Sequence, residues 1–432
     1  MARRMKAPAT NPDPMPPGVR ALLYGSFCWL NRHVEVLRRI GWVLRLWPFI
    51  GGWFGFAARA SAVKRVLMRP RSFSNRAHAP NLVSGDYLIG MDPGPVYDAD
   101  RALLNARLAA LKKHFDSDSE AQRRVQSLQS LGPKSFDLIE DYLLWVVFRA
   151  IEPVFGAAAS RVAVGAEGDV TDEGLQRQYL LDTRYVAGQL LAGSLSTLPF
   201  QRRAELCADS LRKRINGVSS DIQRAWGVPN DPEFIERNAV GLAWISHPVT
   251  VQSGALVVQE LLIRSDAYRS LRERTAKIGE AGVWSNADFR RCVRDHVLEL
   301  MRFRPIFPLL ARNVPRDTQF ETGGRHNAPC RGGSSVAIWS IAALFDKGAV
   351  PDSGKFCPQR DWRHEEPLRY LMFGYGDRQC PAKDFAVDII TSALIGLLIL
   401  PELQLAPGDG KPIAYDGPLM SRMRVRFAQQ GK

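Results

Sequence analysis

The sequence lacks a stretch that could cross a bilayer. Its longest apolar run, 385–400, falls short of the ~20 residues a spanning helix needs, and it contains Asp388. It also lacks paired cysteines. Cys28, Cys207, Cys292, Cys330, Cys357 and Cys380 are scattered, with no C-x-x-C and no zinc-type spacing. A chain of this size folds without disulfides, so a reducing compartment is expected. Arg3, Arg4 and Lys6 are followed by Pro- and Asn-rich sequence and no apolar signal core. There is no run of five basic residues and no interleaving of basic and aromatic residues, which argues against nucleic acid. Internal repeats and low-complexity linkers are missing as well. These gaps together predict a soluble, cytoplasmic protein with no transmembrane span.

What is present is a chain of 432 residues, 46% hydrophobic and 24% charged, ordinary for a globular protein. It is long enough to bury a large core and to enclose a bulky cofactor. Lys and Arg number 58 against 44 Asp and Glu, a net charge of +14. Such a surface attracts acidic partners, among them anionic lipid and acidic electron-carrier proteins.

Residues 1–30 read as a flexible, Pro-rich tail and 31–432 as one domain. Segment 32–46 spaces Leu37, Ile40 and Leu44 as a helix does, with Arg38, Arg39 and Arg45 elsewhere. Weak contact with a membrane surface and packing on its own domain are its two readings. Segment 47–58 is apolar and broken by glycine, which suits strands and turns. Helices are expected over 137–152, 232–264, 285–304 and 383–400, with Pro305 closing the third. Residues 313–362 turn to Gly, Pro and short apolar runs, the pattern of strands and loops. The fold class is mainly α with a minor β region.

Just before the last helix stands Phe373-Gly374-Tyr375-Gly376-Asp377-Arg378-Gln379-Cys380. A thiolate at a helix N-terminus is stabilised by exposed N–H groups and the helix dipole. Glycines let backbone approach a flat cofactor closely, and Arg378 can meet a carboxylate. This segment resembles the heme-binding loop of the cytochrome P450 family, Phe-Gly-x-Gly-x-[His/Arg]-x-Cys. The resemblance makes Cys380 the iron ligand of heme b (iron protoporphyrin IX), with Phe373, Gly374, Gly376 and Arg378 around the ring. One departure is Ala382, where the family usually has Gly.

Three further segments follow in family order. Tyr97 and Arg101 match an aromatic residue and Arg that reach the heme propionates, and Arg312 matches another propionate position. Glu299 and Arg302 share a helix face and resemble the family's buried Glu-x-x-Arg pair. Arg360 resembles its third, structural member. The resemblance implies a single large P450 fold and a monooxygenase that inserts oxygen into a hydrophobic small molecule. No flavin or ferredoxin domain is recognisable, so it also implies electrons from a separate ferredoxin or flavodoxin. Pocket candidates are the loop 81–89, Val240 and Trp244 on the central helix, and Ile306 and Leu309.

The central helix departs from the family. The usual acid–threonine pair falls on Val249 and Thr250, with Ser246 over the ring. His247-Pro248 is similar to the Arg-Pro of the fatty-acid peroxygenase branch. A histidine near the iron could work as acid and base on peroxide. Alternative readings are therefore a reductase-independent peroxygenase or hydroperoxide-converting enzyme with catalytic His247, and a heme protein without oxygenase activity. As a structural residue, His247 would simply pack beside a proline kink.

Overall fold

The computed structural model describes residues 16–46, 49–50, 54–112, 115–130, 132, 135–164, 168–169, 172–228, 231–323, 327–362, 366–406 and 411–428. Helices dominate, as the sequence predicts. The longest is the central helix Pro232–Ile263, opened by Pro232 in its first turn and by the Asp231 carboxylate, which accepts from the Phe234 N–H. Twenty of its 32 residues are buried, on all sides of the helix. A helix apolar all round is one enclosed by its own protein. Pro248 lies inside it without ending it.

Helix Ala287–Phe303 is capped by Asn286, which accepts from the Phe289 N–H at 2.9 Å. Helix Lys383–Ile399 is nearly wholly buried beyond its first turn. These two helices and the C-terminal half of the central helix share the largest core cluster, which includes Val258, Leu300 and Leu394. A second cluster surrounds the N-terminal half of the central helix. It joins Leu82, Tyr87, Leu88 and Tyr97 to helices Glu173–Ala192 and Leu198–Asn216.

A four-stranded sheet flanks this body, ordered 49–50, 54–57, 335–338, 310–313. Phe54–Ala57 runs parallel to Ser335–Ile338, and Leu310–Asn313 runs antiparallel to it with Arg312 opposite Val336. Period-2 alternation buries Arg312 while Ala311 and Asn313 face out.

Two expectations need correction. The flexible tail was expected to reach residue 30, but Pro17–Arg32 is a helix. Proline is tolerated in a first helical turn, where its missing N–H would have no partner. Residues 1–15 lie outside the described residues. The helix expected over 137–152 opens as one π-type stretch, Leu138–Leu143, before continuing as the α-helix Leu144–Ile151.

Candidate active site

Cys380 lies at the foot of helix Lys383–Ile399. Its N–H donates to the Phe373 carbonyl at 2.8 Å, which ties the loop into a ring. Gly374 and Gly376 have φ of 87° and 67°, values that cost a side chain strain and a glycine little. The Ala382 N–H points at the Cys380 sulfur. Ala382 has φ −96°, so nothing in the backbone demands the family's glycine there. Burial pushes the Cys380 thiol up, while the Ala382 N–H, Arg101 and Lys383 oppose this.

Around the loop sits a cluster of cations. Arg101 donates to the Tyr97 hydroxyl at 3.2 Å and to the Gln379 carbonyl at 2.9 Å. Arg378 lies 4.9 Å from the Tyr97 ring centre and donates to the Leu88 and Met91 carbonyls. Arg312 donates to the Ala311 carbonyl at 2.7 Å, with His78 Nε2 at 3.4 Å. Burial and the field of Arg378 lower the Arg312 pKa to about 9. The nearest acid is Asp92, 3.7 Å from Arg378 Nη1, beyond hydrogen-bond reach. Arg378 Nη1 is buried with no hydrogen-bond partner.

Three guanidiniums facing one carboxylate leave two positive charges in a desolvated place, which is costly unless an anion joins them. A ligand carrying two carboxylates beside the Cys380 sulfur satisfies both charge and donors. Iron protoporphyrin IX is such a ligand, and the residues fit it. Tyr97, Arg101, Arg312 and Arg378, named from sequence, share this cluster. His78 and Asp92 belong to it too and were missed. They sit in a loop with no motif spacing, and only the His78–Arg312 and Asp92–Arg378 approaches reveal them.

Behind the loop, Glu299 accepts from Arg302 at 2.8 and 3.0 Å and from Arg360 at 2.9 Å. The Cys357 N–H adds a fourth bond to Glu299 at 3.0 Å. Arg302 also donates to the Leu344, Ser353 and Lys355 carbonyls. Arg360 donates to those of Pro351 and Lys355. All three side chains are buried. The arginines hold the Glu299 pKa below the usual carboxylate range against the opposing effect of burial.

On the central helix, the Thr250 hydroxyl donates to the Ser246 carbonyl at 2.6 Å, and the Ser246 hydroxyl to Leu242 at the same distance. Both retain acceptor lone pairs. Trp244 meets the Tyr87 ring edge to face at 6.2 Å. Tyr87 also covers Gly241 so closely that a Cβ there would collide with its ring. Tyr87 lies within the electrostatic reach of Cys380, so this aromatic stack borders the site. Val240 is buried in the same cluster.

The structure packs His247 against a neighbouring helix. Its ring points at helix Leu144–Ile151, with Nε2 3.0 Å from the Leu144 carbonyl and the Phe148 ring edge-on at 6.3 Å. Burial lowers its pKa to about 4, which leaves a neutral packing histidine. The pocket candidates Ile306 and Leu309 have these surroundings. Ile306 lines a cavity with Asn31, Gln252, Leu256 and Met420. Leu309 packs on the core cluster beside the four-stranded sheet. Gln252 lies eight residues beyond Trp244, roughly 12 Å along the helix axis. The chain after Pro305 leads into strand Leu310–Asn313, which carries Arg312 to the cation cluster.

Comparison with known proteins agrees with this geometry. Residues 292–427 match the family model described as Cytochrome P450. Cytochrome P450 98A1 of Sorghum bicolor is 22% identical over 417 residues, covering 83% of this chain and 78% of that protein. Ent-kaurene oxidase of Gibberella intermedia is 24% identical over 223 residues, covering 47% and 42%. Among solved structures, a mutant of P450 EryK in complex with erythromycin B superposes with a TM-score of 0.67 at 16% identity, covering 93% of this chain and 98% of that one. Substrate-free CYP109E1 from Bacillus megaterium gives 0.65 at 17%, covering 88% and 94%. The cysteine loop, the cations around it and these likenesses coincide: residues 292–427 match the cytochrome P450 family, and the chain has the fold of the solved P450 structures.

Proposed function

We propose that this heme-thiolate oxidoreductase is a monooxygenase that inserts oxygen into a hydrophobic small molecule, drawing electrons from a separate ferredoxin or flavodoxin. The observation that carries the reading is the pairing of Cys380 with a buried cation cluster short of two negative charges. When bound there, the heme supplies oxygen activation, which a thiolate ligand favours by pushing electron density onto the iron.

The chain's own residues do the rest. Cys380 is the ligand, and the Ala382 N–H and the helix end moderate its charge. Tyr97, Arg101, Arg312 and Arg378 hold the propionates, with His78 beside Arg312. Glu299, Arg302 and Arg360 brace the segment behind the loop. Ser246 and Thr250 carry the hydroxyls able to order water and pass a proton, because Val249 has none to give. Tyr87, Trp244 and Val240 exclude water and offer an apolar wall. With His247 turned away, no residue observed here favours the peroxide-using alternative.

The test is spectroscopic. Heme-loaded, reduced protein exposed to carbon monoxide is expected to show the strongly red-shifted Soret band of thiolate ligation, and Cys380→Ala to lose it. Retention of that band by the variant overturns the assignment of the ligand.

A further inference from the structure

Gln252 lies buried on the central helix, 3% exposed, two residues beyond Thr250. A buried amide costs free energy unless its donor and acceptor are both met. Here a single residue meets both. The Gln252 Nε2 donates to the Met420 carbonyl at 2.6 Å, and its Oε1 accepts from the Met420 N–H at 2.9 Å. That two-way exchange is the one a neighbouring antiparallel strand makes, and Met420 has no strand on that side. It lies near the turn of the hairpin formed by strands Ile413–Asp416 and Leu419–Arg426. The other partners of the second strand, Phe136–Asp137 and Gln404–Leu405, pair with it only from Arg424 on. Gln252 stands in for the missing strand.

The tip of this hairpin reaches the apolar wall of the site. Ser421 is an extra residue in the second strand, between the pairs Met420–Tyr415 and Arg422–Ala414. Such a bulge bends a strand and re-aims its side chains. Leu419 and Met420 are consecutive residues that a flat strand turns to opposite faces, yet both are buried. Leu419 joins the cluster of Tyr87, Val240 and Trp244, while Met420 joins that of Val258 and Leu394. Beside them lies the cavity that Gln252 and Ile306 also line, so packing leaves the depth of the tip unfixed on that side. Directional bonds fix it instead. Gln252 holds it from the central helix. At the turn, Arg32 donates to the Gly417 carbonyl at 3.0 Å and Tyr185 donates to the Asp416 carboxylate. An apolar contact tolerates sliding, whereas two opposed hydrogen bonds to one residue do not.

We propose that Gln252 is a positioning residue for substrate selection: by holding Met420 it sets how far Leu419 stands into the apolar pocket, and so the bulk of the molecule accepted beside Tyr87 and Trp244. The proposal rests on the heme-thiolate reading of the site and adds to it a determinant of size.

The test uses the heme-loaded full chain and two iron-binding azoles, imidazole and 4-phenylimidazole, titrated by their Soret shifts. Imidazole reports access to the iron, and the ratio of the two dissociation constants reports the room beside it. Gln252→Leu removes both bonds. Gln252→Asn, one methylene shorter, cannot make both without moving the hairpin. Each is expected to change the ratio by ~10-fold or more, the worth of about one methylene in an apolar pocket, with imidazole alone binding as in wild type. The carboxyl of Gln252→Glu takes up a proton in this buried place at about pH 6 and then offers the same donor and acceptor, so this variant should keep the wild-type ratio. Leu419→Ala, with the clamp intact, is expected to change the ratio as well. Should Gln252→Leu yield no heme-loaded protein, Gln252→Asn and Leu419→Ala decide. An unchanged ratio in the Gln252 variants, a silent Leu419→Ala, or lost thermal stability with no change in ratio makes Gln252 a purely structural residue and overturns the proposal. So does a Gln252→Glu variant that shifts the ratio as far as Gln252→Leu. If heme-loaded wild type gives no Soret shift even with imidazole, the reading of the site falls, and this proposal with it.

Discussion

At the scale of single residues, burial fixes what His247 can do. Its pKa of about 4 lies below the ordinary value of 6.5, so the fold binds it neutral while the unfolded chain takes up a proton near pH 6.5. The associated stability is fully present above about pH 6.5 and is lost as pH falls towards and through about 4, on the order of 3 kcal/mol at the limit. His247→Gln keeps a polar side chain near the Leu144 carbonyl without this titration. Urea unfolding from pH 7 to 4.5 is expected to show a flatter decline for the variant than for wild type. Product formation by His247→Gln at pH 7 should stay within a few-fold of wild type. A loss of the ~10² or more typical of a removed acid–base group would return His247 to the site. The sequence shows where His247 sits along the helix but not which way it faces, because a helix apolar on every side has no polar face to orient it. Cys380 is legible for the opposite reason: its loop makes backbone demands at fixed spacing, met by Gly374 and Gly376.

At the scale of elements, the lock behind the loop joins two segments distant in sequence. Glu299 and Arg302 sit on helix Ala287–Phe303, and Arg360 comes from the stretch 351–361 that the arginines grip by its carbonyls. Glu299→Ala leaves two buried guanidiniums without their carboxylate, at a cost of roughly 3–5 kcal/mol. We expect poor yield of folded, heme-loaded protein and a lower melting temperature. Glu299→Gln retains an acceptor for the Cys357 N–H but not the charge, so it should fall between wild type and Glu299→Ala. A Glu299→Ala variant that melts like wild type would show the network to be energetically idle. The helices 232–263, 287–303 and 383–399 were legible from length, caps and the proline that follows the second. The helix Pro17–Arg32 was not, since a Pro-rich approach and Gly18 and Gly25 look like tail, and tertiary packing of Tyr24 and Cys28 is what stabilises it. His78 and Asp92 likewise reach the site only through loop folding that local pattern does not encode.

At the scale of the whole molecule, the question is where the excess of positive charge acts. On the surface beside helix Lys383–Ile399, outside the buried cluster at its foot, the arginines are largely answered. Arg290 pairs with Asp118, Arg294 with Asp384 and Asp388, and Arg369 with Asp295. Paired exposed charges cancel beyond a Debye length, about 10 Å at 0.1 M salt. The N-terminal segment instead holds a net +6 in its first 46 residues. An acidic donor of the proposed kind would therefore be drawn by the distant field of a +14 protein more than by an unpaired local patch. Steering by a strong patch raises association by 10 to ~10³-fold and collapses with salt. For this chain, reduction by an acidic donor is expected to slow by no more than about tenfold between low and physiological ionic strength. Stopped-flow reduction under carbon monoxide, with donor concentration varied at each salt, reads this directly. A fall near ~10³-fold would mean that the pairs around the cysteine loop open when the donor arrives, making the donor's contact surface far more positive than its resting ion pairs allow.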